Sequence, residues 1–325
     1  MQPKNGRMKR WMTIPLLVIL ITVSILIAYQ DCDHESSQRP SSGLNTSAGC
    51  DIQAEHWYKK KRLKTLKGVA LVIHGLNLKP EKMEALIADM NQEGIDVLNL
   101  SLYGHGSNYA CRSRTNPDAQ RLESFRTVTY ALWSKEVYQA YQAVRKRADR
   151  KKLSVFLVGY SLGGLLGCDL LTSRPDVFFD RMVLFAPALN VMIESYLLKA
   201  LSPFPNLVID SLSPQSYRSN AGTPMAAYKA VFAAIDHFEG HISDKLNVPT
   251  VIFIDEKDEL TSYRKLQDMI DQKKLDRWSI HKVQKDGDVD KGMTHHLMID
   301  KLSTGRNMWG QVRSVIRKHL LLTRY

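Results

Sequence analysis

The sequence predicts an α/β protein with a mainly parallel sheet, helices on both faces and a helical insertion. Short continuous apolar runs alternate with helical segments, as is typical of parallel strands that are covered on both faces. A serine flanked by glycines stands where one such run gives way to a helix. The chain has 325 residues, 44% of them apolar and 24% charged, which suits one large globular α/β domain.

The predicted strands and helices follow one another from residue 69 to near the carboxyl terminus. The strands lie at 69–73, 95–100, 153–158, 182–186, 249–254 and 278–283, and the helices at 80–93, 134–150, 165–171, 263–274 and 306–321. This alternation gives a mainly parallel sheet. It is interrupted at about 187–247 by two amphipathic segments and a Pro- and Ser-rich stretch, which predict a helical cap.

The amino terminus predicts a membrane anchor. A basic segment, 1–10, precedes the uncharged apolar run 11–29, which is long enough to span a bilayer. The basic flank favours a cytoplasmic amino terminus, so the domain after residue 29 is expected on the periplasmic or extracellular side. A cleaved signal peptide is the alternative, but the run is long and lacks a small-x-small cleavage pattern.

Residues 30–54 are rich in Ser, Gly, Asn and Asp and predict a flexible linker, so the globular domain is expected at 55–325. Export would permit disulfides, and Cys32 with Cys50 is a candidate pair within the linker. Cys168 falls in a helical segment and is expected to be a buried apolar residue, whereas the sequence does not assign Cys111. No cysteine or histidine spacing predicts a metal site.

The net charge of +12 excludes little by itself. Its basic residues are dispersed apart from two short clusters, 59–62 and 145–147, and neither cluster is interleaved with aromatic residues. The sequence therefore predicts no nucleic-acid partner and favours a solvated basic surface that could face phospholipid headgroups. Nothing in the pattern predicts an oligomeric state.

The stretch Gly159-Tyr160-Ser161-Leu162-Gly163 has the Gly-x-Ser-x-Gly spacing of a nucleophile elbow. In such an elbow a serine sits on a sharp turn between a strand and a helix, and nearby glycines leave room for the backbone. The positive end of the helix dipole then favours negative charge at the serine. A tight turn with an exposed serine is the alternative interpretation.

A serine nucleophile needs a base and an orienting carboxylate, which should follow other strands of the same sheet. Asp255, Glu256, Asp258 and Glu259 follow the strand at 249–254, and His295 and His296 lie in the loop after the last strand. The order Ser, Asp, His matches the hydrolase fold that is built on this elbow. His105 is a competing base in the glycine-rich loop Tyr103-Gly104-His105-Gly106-Ser107.

From about residue 67 to the carboxyl terminus, the chain resembles the α/β-hydrolase superfamily, in particular capped serine hydrolases such as monoacylglycerol lipases, lysophospholipases and carboxylesterases. The motifs that carry the resemblance are His74-Gly75, Tyr103-Gly104-His105-Gly106-Ser107 and the elbow. The resemblance implies Ser161 as nucleophile, Asp258 as acid and His295 as base. It also implies an oxyanion hole made by the backbone N–H groups of Leu76 and Leu162, with His74 supporting the loop.

Two alternates stay open within this resemblance. Asp255 stands where family members commonly have a glycine, so it remains a second candidate for the acid. His296 is the second candidate for the base, although the residues up to Asp300 resemble the sequence after the family's histidine when His295 is chosen.

The sequence thus predicts a membrane-anchored serine ester hydrolase that needs no cofactor or metal and cleaves a small-molecule or lipid acyl ester. An acyltransferase or peptidase on the same fold, a non-catalytic binding protein, and a basic membrane-surface adaptor are the alternatives.

Overall fold

The computed structural model describes residues 53–60, 65–112, 115–191, 201, 203–204 and 207–321. The predicted transmembrane segment, 11–29, and nearly all of the predicted linker lie outside these residues. Within the described ranges, no helix is both long enough and apolar enough to cross a membrane.

The described residues form nine strands in two sheets. The strands are β1 (Glu55–Tyr58), β2 (Gly68–Ile73), β3 (Ile95–Leu100), β4 (Ser154–Tyr160), β5 (Arg181–Phe185), β6 (Val208–Asp210), β7 (Gly222–Pro224), β8 (Thr250–Ile254) and β9 (Trp278–Lys282). The main sheet has the order β1-β3-β2-β4-β5-β8-β9, and every neighbouring pair is parallel except β1 with β3. Strands β6 and β7 form a separate antiparallel pair. The predicted, mainly parallel sheet is confirmed.

Helices cover both faces of the main sheet. They are α1 (Glu84–Gln92), α2 (Pro117–Phe125), α3 (Tyr130–Asp149), α4 (Leu162–Ser173), α5 (Met225–His241), α6 (Tyr263–Gln272), α7 (Lys301–Thr304) and α8 (Arg306–Leu321), with short 3₁₀ turns at Pro80–Met83 and Asp244–Leu246. Along β2, Val69, Leu71 and Ile73 pack into the cluster with α3, α4 and α5. Ala70 and Val72 pack into the opposite cluster, with α1 and α8. Burial on both faces explains why the strand is apolar throughout.

Several described elements were not predicted from the sequence: β1, α2, the β6–β7 pair and the short helix α7. Strand β1 carries polar residues and pairs only with β3, at the edge of the sheet. Helix α2 lies in the polar stretch that precedes the predicted helix 134–150. The helix begins after Asn116, which is its N-cap residue: Asn116 adopts a left-handed conformation and its side chain accepts the N–H of Ala119. Similarly, Thr129 caps α3, which begins four residues before the predicted start.

The predicted cap, 187–247, is partly described. Its first predicted helix, at 192–198, lies outside the described residues. Its second is α5, whose buried side chains, including Phe232, Ile235 and Phe238, pack into the core beside α4. Helix α5 therefore belongs to the body of the domain, because its apolar face completes the core on that side of the sheet.

The two cysteines among the described residues differ in state. Cys168 is free and fully buried in α4, and burial raises the pKa of its thiol. Cys111 is disulfide-bonded. The candidate pair Cys32 and Cys50 lies outside the described residues.

Candidate active site

The elbow lies at the centre of the main sheet, where β4 ends and α4 begins. Ser161 has φ 50° and ψ −112°, a strained conformation that costs about 1–3 kcal/mol. The backbone holds it there, since the Ser161 N–H donates to the Phe185 carbonyl at 2.8 Å. A Cβ on Gly163 would lie 2.1 Å from the Ile73 carbonyl oxygen, so only glycine fits where the helix crosses β2. The turn thus presents the Ser161 hydroxyl at the carboxyl edge of the sheet.

His296 is the histidine that contacts this serine. Its Nε2 lies 2.9 Å from Ser161 Oγ, and its Nδ1 lies 2.9 Å from Asp258 Oδ2. A carboxylate only accepts, so Nδ1 carries the proton and Nε2 is free to accept the serine O–H. All three side chains are buried. The structure therefore contains a continuous hydrogen-bonded series from Ser161 through His296 to Asp258.

The structure places His296, and not the sequence-predicted base His295, beside Ser161. His295 Nδ1 bonds to Asp255 Oδ2 at 2.7 Å, and the ring is partly exposed. It does not contact Ser161. Asp255, which the sequence left open as a second candidate acid, bonds to the first histidine and not to the one beside Ser161. The alternate, His296, takes the place beside Ser161, and Asp258 rather than Asp255 is its partner.

The loop after β8 holds Asp258 rigidly. Its Oδ1 accepts the N–H groups of Leu260 and Thr261, each at 2.8 Å. The carboxylate is therefore oriented by two backbone donors before it receives the imidazole N–H. Asp255 folds onto the same loop, because its Oδ1 accepts the N–H of Lys257 at 2.9 Å.

Two further side chains clamp the segment 294–297, which we call the histidine segment. Glu259 accepts the N–H of His295 at 2.8 Å with one oxygen and the N–H of His296 at 3.0 Å with the other. Lys285 donates to the carbonyls of Thr294 and Leu297 at 2.6 and 2.9 Å. Burial lowers the pKa of the Lys285 amine, opposed by the nearby carboxylates of the β8 loop. The sequence offered no signal for Lys285, and Glu259 stood there only as one of four acids.

Two buried histidines support the loop that contains Leu76. His74 Nε2 accepts the Leu102 N–H, and His105 Nε2 accepts the Asn77 N–H, both at 3.0 Å. Each ring donates from Nδ1 to a backbone carbonyl, that of Gly75 for His74 and that of Leu102 for His105. Both rings are therefore neutral structural cross-links, which removes His105 as a competing base.

The two backbone N–H groups expected to form an oxyanion hole are available. Leu162 is the first residue of α4, so its N–H has no acceptor one helical turn earlier. In the described part of the chain, the Leu76 N–H has no hydrogen-bond acceptor. No group of His, Cys, Asp and Glu side chains in the described ranges is arranged to hold a metal ion.

Comparison with known proteins decides the family. Residues 64–322 match the family described as serine aminopeptidase, S33. The chain belongs to the serine aminopeptidase S33 family. This match covers most of the chain, and it confirms the relationship to α/β-hydrolases that the sequence motifs indicated. A search of curated proteins found no match.

Solved structures similar to this S33 protein include lipases and esterases. A structure of the metagenome-derived lipolytic enzymes LipS and LipT is 19% identical, with a TM-score of 0.61, over 83% of this chain and 99% of that one. The monoglyceride lipase of Saccharomyces cerevisiae is 11% identical, with a TM-score of 0.65, over 88% and 98%. The monoacylglycerol lipase of Paleococcus ferrophilus is 17% identical, with a TM-score of 0.56, over 82% and 98%. These similarities establish a shared fold.

The Glu259 clamp leads to a test in this S33 protein. We expect Glu259→Gln to lower kcat about tenfold with little change in KM. The two backbone N–H groups bond to different oxygens of Glu259, and in glutamine one of these oxygens becomes an NH2 group, which cannot accept, so the His296 ring is held less accurately. Steady-state kinetics on a chromogenic ester measure this. Glu256→Gln is the matched control, since Glu256 pairs with Lys282 on the surface. Equal losses in both variants would contradict a positioning role for Glu259.

The buried histidines predict acid sensitivity of the fold. Burial lowers the pKa of His74 from 6.5 to about 4, and burial together with the neighbouring His74 lowers that of His105 well below 6.5. The unfolded chain therefore binds protons that the folded chain excludes as pH falls through this range. The free energy of unfolding therefore keeps the full contribution of these histidines above pH 6.5 and loses it as the pH falls from 6.5 to about 4. The loss is on the order of 3 kcal/mol from His74 alone.

Urea unfolding at pH 7.5 and pH 5 measures this loss. His105→Gln is the informative variant, because a glutamine oxygen can accept the Asn77 N–H without titrating. We expect the variant to lose less free energy of unfolding on acidification than the wild-type protein. The same loss in both proteins would show that His105 does not contribute.

Proposed function

We propose that this protein is a membrane-anchored serine hydrolase that cleaves carboxylic esters, with Ser161 as nucleophile, His296 as general base and acid, and Asp258 as the carboxylate that orients His296. The observation that carries the proposal is the series of two hydrogen bonds that joins these side chains at an S33 nucleophile elbow. This assignment replaces His295 with His296 and leaves Asp255 outside the reacting set.

The proposed reaction passes through an acyl-enzyme. The Ser161 hydroxyl gives its proton to His296 Nε2 while Oγ bonds to the acyl carbonyl carbon. The resulting oxyanion is stabilised by the N–H groups of Leu76 and Leu162. When the tetrahedral intermediate collapses, the proton passes from His296 to the leaving alcohol. Water then repeats the sequence, with its proton taken by His296, and releases the carboxylic acid and free Ser161.

The proposed substrate is an acyl ester of a lipid. The similar structures from yeast and Paleococcus are described as monoglyceride and monoacylglycerol lipases. The apolar run at 11–29 supports anchoring of this chain at a bilayer, where such esters are found. The disulfide at Cys111 fits a domain on the exported side of the membrane, since disulfides persist in oxidising compartments.

Peptide hydrolysis is the second candidate, and the family's description as serine aminopeptidases favours it. The same three side chains could attack an amide carbonyl, so the site itself suits both reactions. The two candidates separate by substrate, because an aminopeptidase acts on substrates with a free α-amino group.

The test compares the full-length protein in detergent micelles as wild type and as Ser161→Ala. Substrates are p-nitrophenyl esters from acetate to palmitate and aminoacyl p-nitroanilides. We expect ester hydrolysis with an optimum at longer acyl chains, and a loss of about 10³-fold or more in Ser161→Ala. Preferred hydrolysis of the anilides would favour the aminopeptidase. If the folded wild-type protein hydrolyses neither class, the proposal is wrong.

A further inference from the structure

We propose that residues 217–220, which we call the strap, are a positioning element that holds the loop of the oxyanion hole and the region after His296 in register. The strap lies in the segment that connects β5 to α5, just before β7. Its two positioning side chains are Asn220 and Tyr217. The inference rests on the proposed function and adds residues that neither the motifs nor the family resemblance singled out.

Asn220 and Asn77 form a reciprocal pair. The Asn220 N–H donates to Asn77 Oδ1 at 2.8 Å, and Asn77 Nδ2 donates to the Asn220 carbonyl at 3.1 Å. Asn77 has φ 53°, a left-handed conformation that is unfavourable for most residues other than glycine. The two hydrogen bonds with Asn220 stabilise it. Both residues are buried, at 3% and 5% exposure, so each bond is shielded from competing water. The pair fixes the residue that directly follows Leu76.

Three backbone contacts extend this pairing along the oxyanion loop, 75–79. The Ser219 N–H donates to the Asn77 carbonyl at 2.9 Å, and the Lys79 N–H donates to the Tyr217 carbonyl at 2.8 Å. Ser219 Oγ donates to the Leu78 carbonyl at 3.0 Å. Thus the strap binds the loop at three successive residues, 77–79, much as a neighbouring strand would.

The strap also reaches two other parts of the site. Asn220 Nδ2 donates to the Gly104 carbonyl at 2.9 Å, next to the His105 ring that accepts the Asn77 N–H. The Tyr217 hydroxyl donates to the Asp300 carboxylate at 2.8 Å. Asp300 caps α7 four residues after His296. Burial and the adjacent Asp300 raise the pKa of the Tyr217 phenol, so it remains a donor.

These contacts connect the strap to two parts of the proposed active site. One is the loop that carries the Leu76 N–H, and the other is the segment that follows His296. The Leu76 N–H acts only if it points at the oxyanion in the transition state, and removal of one such donor commonly costs 10²–10³ in kcat. Release of the strap would misplace this donor without removing it. We therefore expect a smaller loss that falls on kcat rather than on KM.

The test uses two variants of the full-length protein in detergent micelles. Asn77→Gly removes the amide pair but tolerates the positive φ, and Asn220→Ala removes the bond to Gly104. The matched control is Asn91→Ala, which loses two side-chain bonds to backbone carbonyls at the opposite edge of the sheet. The readouts are kcat and KM on a p-nitrophenyl ester, inhibition by an alkyl boronic acid, thermal stability and hydrogen–deuterium exchange of residues 74–79.

We expect Asn77→Gly and Asn220→Ala each to lower kcat about tenfold, with KM within about twofold and boronic acid inhibition weakened in parallel. Exchange at 74–79 should rise, and the double variant should lose little more than the worse single one, because both changes disrupt one set of contacts. Asn91→Ala should lower thermal stability while leaving kcat and exchange at 74–79 near wild type.

Two outcomes would overturn the inference. One is unchanged exchange at 74–79 in both strap variants. The other is a kcat loss in Asn91→Ala that matches the strap variants at equal thermal stability. Failure of the proposed function is distinct, because it appears as no ester turnover by the wild-type protein. The exchange measurement then still decides whether the strap holds the loop.

Discussion

His296→Ala is expected to lower kcat/KM for ester hydrolysis by about 10⁴-fold or more. His296 Nε2 is the acceptor that lies 2.9 Å from Ser161 Oγ, so without it the hydroxyl has no base and the leaving alcohol has no proton donor. The fold should survive, because the segment around residue 296 is held by the backbone clamps of Glu259 and Lys285. Steady-state kinetics and circular dichroism measure the two effects.

The neighbouring His295→Ala is the matched control. Its ring bonds to Asp255 and is partly exposed, so we expect kcat/KM to stay within about threefold of wild type. The two variants differ by one position in the sequence and by about three orders of magnitude in expected effect. A larger loss in His295→Ala than in His296→Ala would restore the choice made from the sequence and contradict the geometry.

Asp258→Asn is expected to lower kcat by about 10³- to 10⁴-fold. With its oxygen bonded to the Leu260 and Thr261 N–H groups, the asparagine presents its NH2 group to His296 Nδ1. That group donates, so it favours the imidazole tautomer that carries its proton on Nε2, facing the serine, and this tautomer cannot accept the serine proton. Leu260 and Thr261 can still donate to the amide oxygen, which should preserve the loop. Kinetics on the same ester, with thermal denaturation as a check on folding, measure the effect.

Asp255→Asn provides the comparison for that variant. Asp255 contacts His295 and its own loop, so its loss should change kcat by less than about tenfold. Near-wild-type activity in Asp258→Asn together with an inactive Asp255→Asn would contradict this account. It would show that Asp255 and His295, rather than Asp258 and His296, support the serine.

The elbow and the sheet could be predicted because their signals are local. The Gly-x-Ser-x-Gly spacing is visible within five residues, although only Gly159 is required by neighbours in the elbow, Gly163 and Gly164, whereas Gly163 is required by the close Ile73 carbonyl of β2. The run at 69–73 is apolar because both faces of β2 are covered. Strand β1 escaped prediction because it is a polar edge strand with one neighbour. Its position depends on pairing with β3 some 40 residues later.

The choice between His295 and His296 could not be made from sequence. The two histidines are adjacent, and which ring reaches the serine depends on the path of the histidine segment and on the carboxylates it meets. Glu259 and Lys285 fix that path by bonding to backbone groups of the histidine segment. Every residue has such groups, so these bonds produce no recognisable sequence motif. On this path the His295 ring bonds to Asp255 and the His296 ring bonds to Asp258.

The strap escaped prediction for a related reason. Asn220 is 143 residues from Asn77, and its importance comes from bonds to backbone and amide groups that many residues could offer. An asparagine in a polar stretch carries no signal of such a role. Long-range polar contacts of this kind appear only once the chain has folded.

The most direct test of the central claim is to map the adduct formed by a fluorophosphonate probe. Full-length wild type, His296→Ala and His295→Ala would each be treated in detergent micelles, digested and sequenced by mass spectrometry. The account predicts a single adduct on Ser161 in wild type and in His295→Ala, formed at similar rates, and almost none in His296→Ala. An adduct on another residue, or rapid labelling of Ser161 without His296, would contradict it.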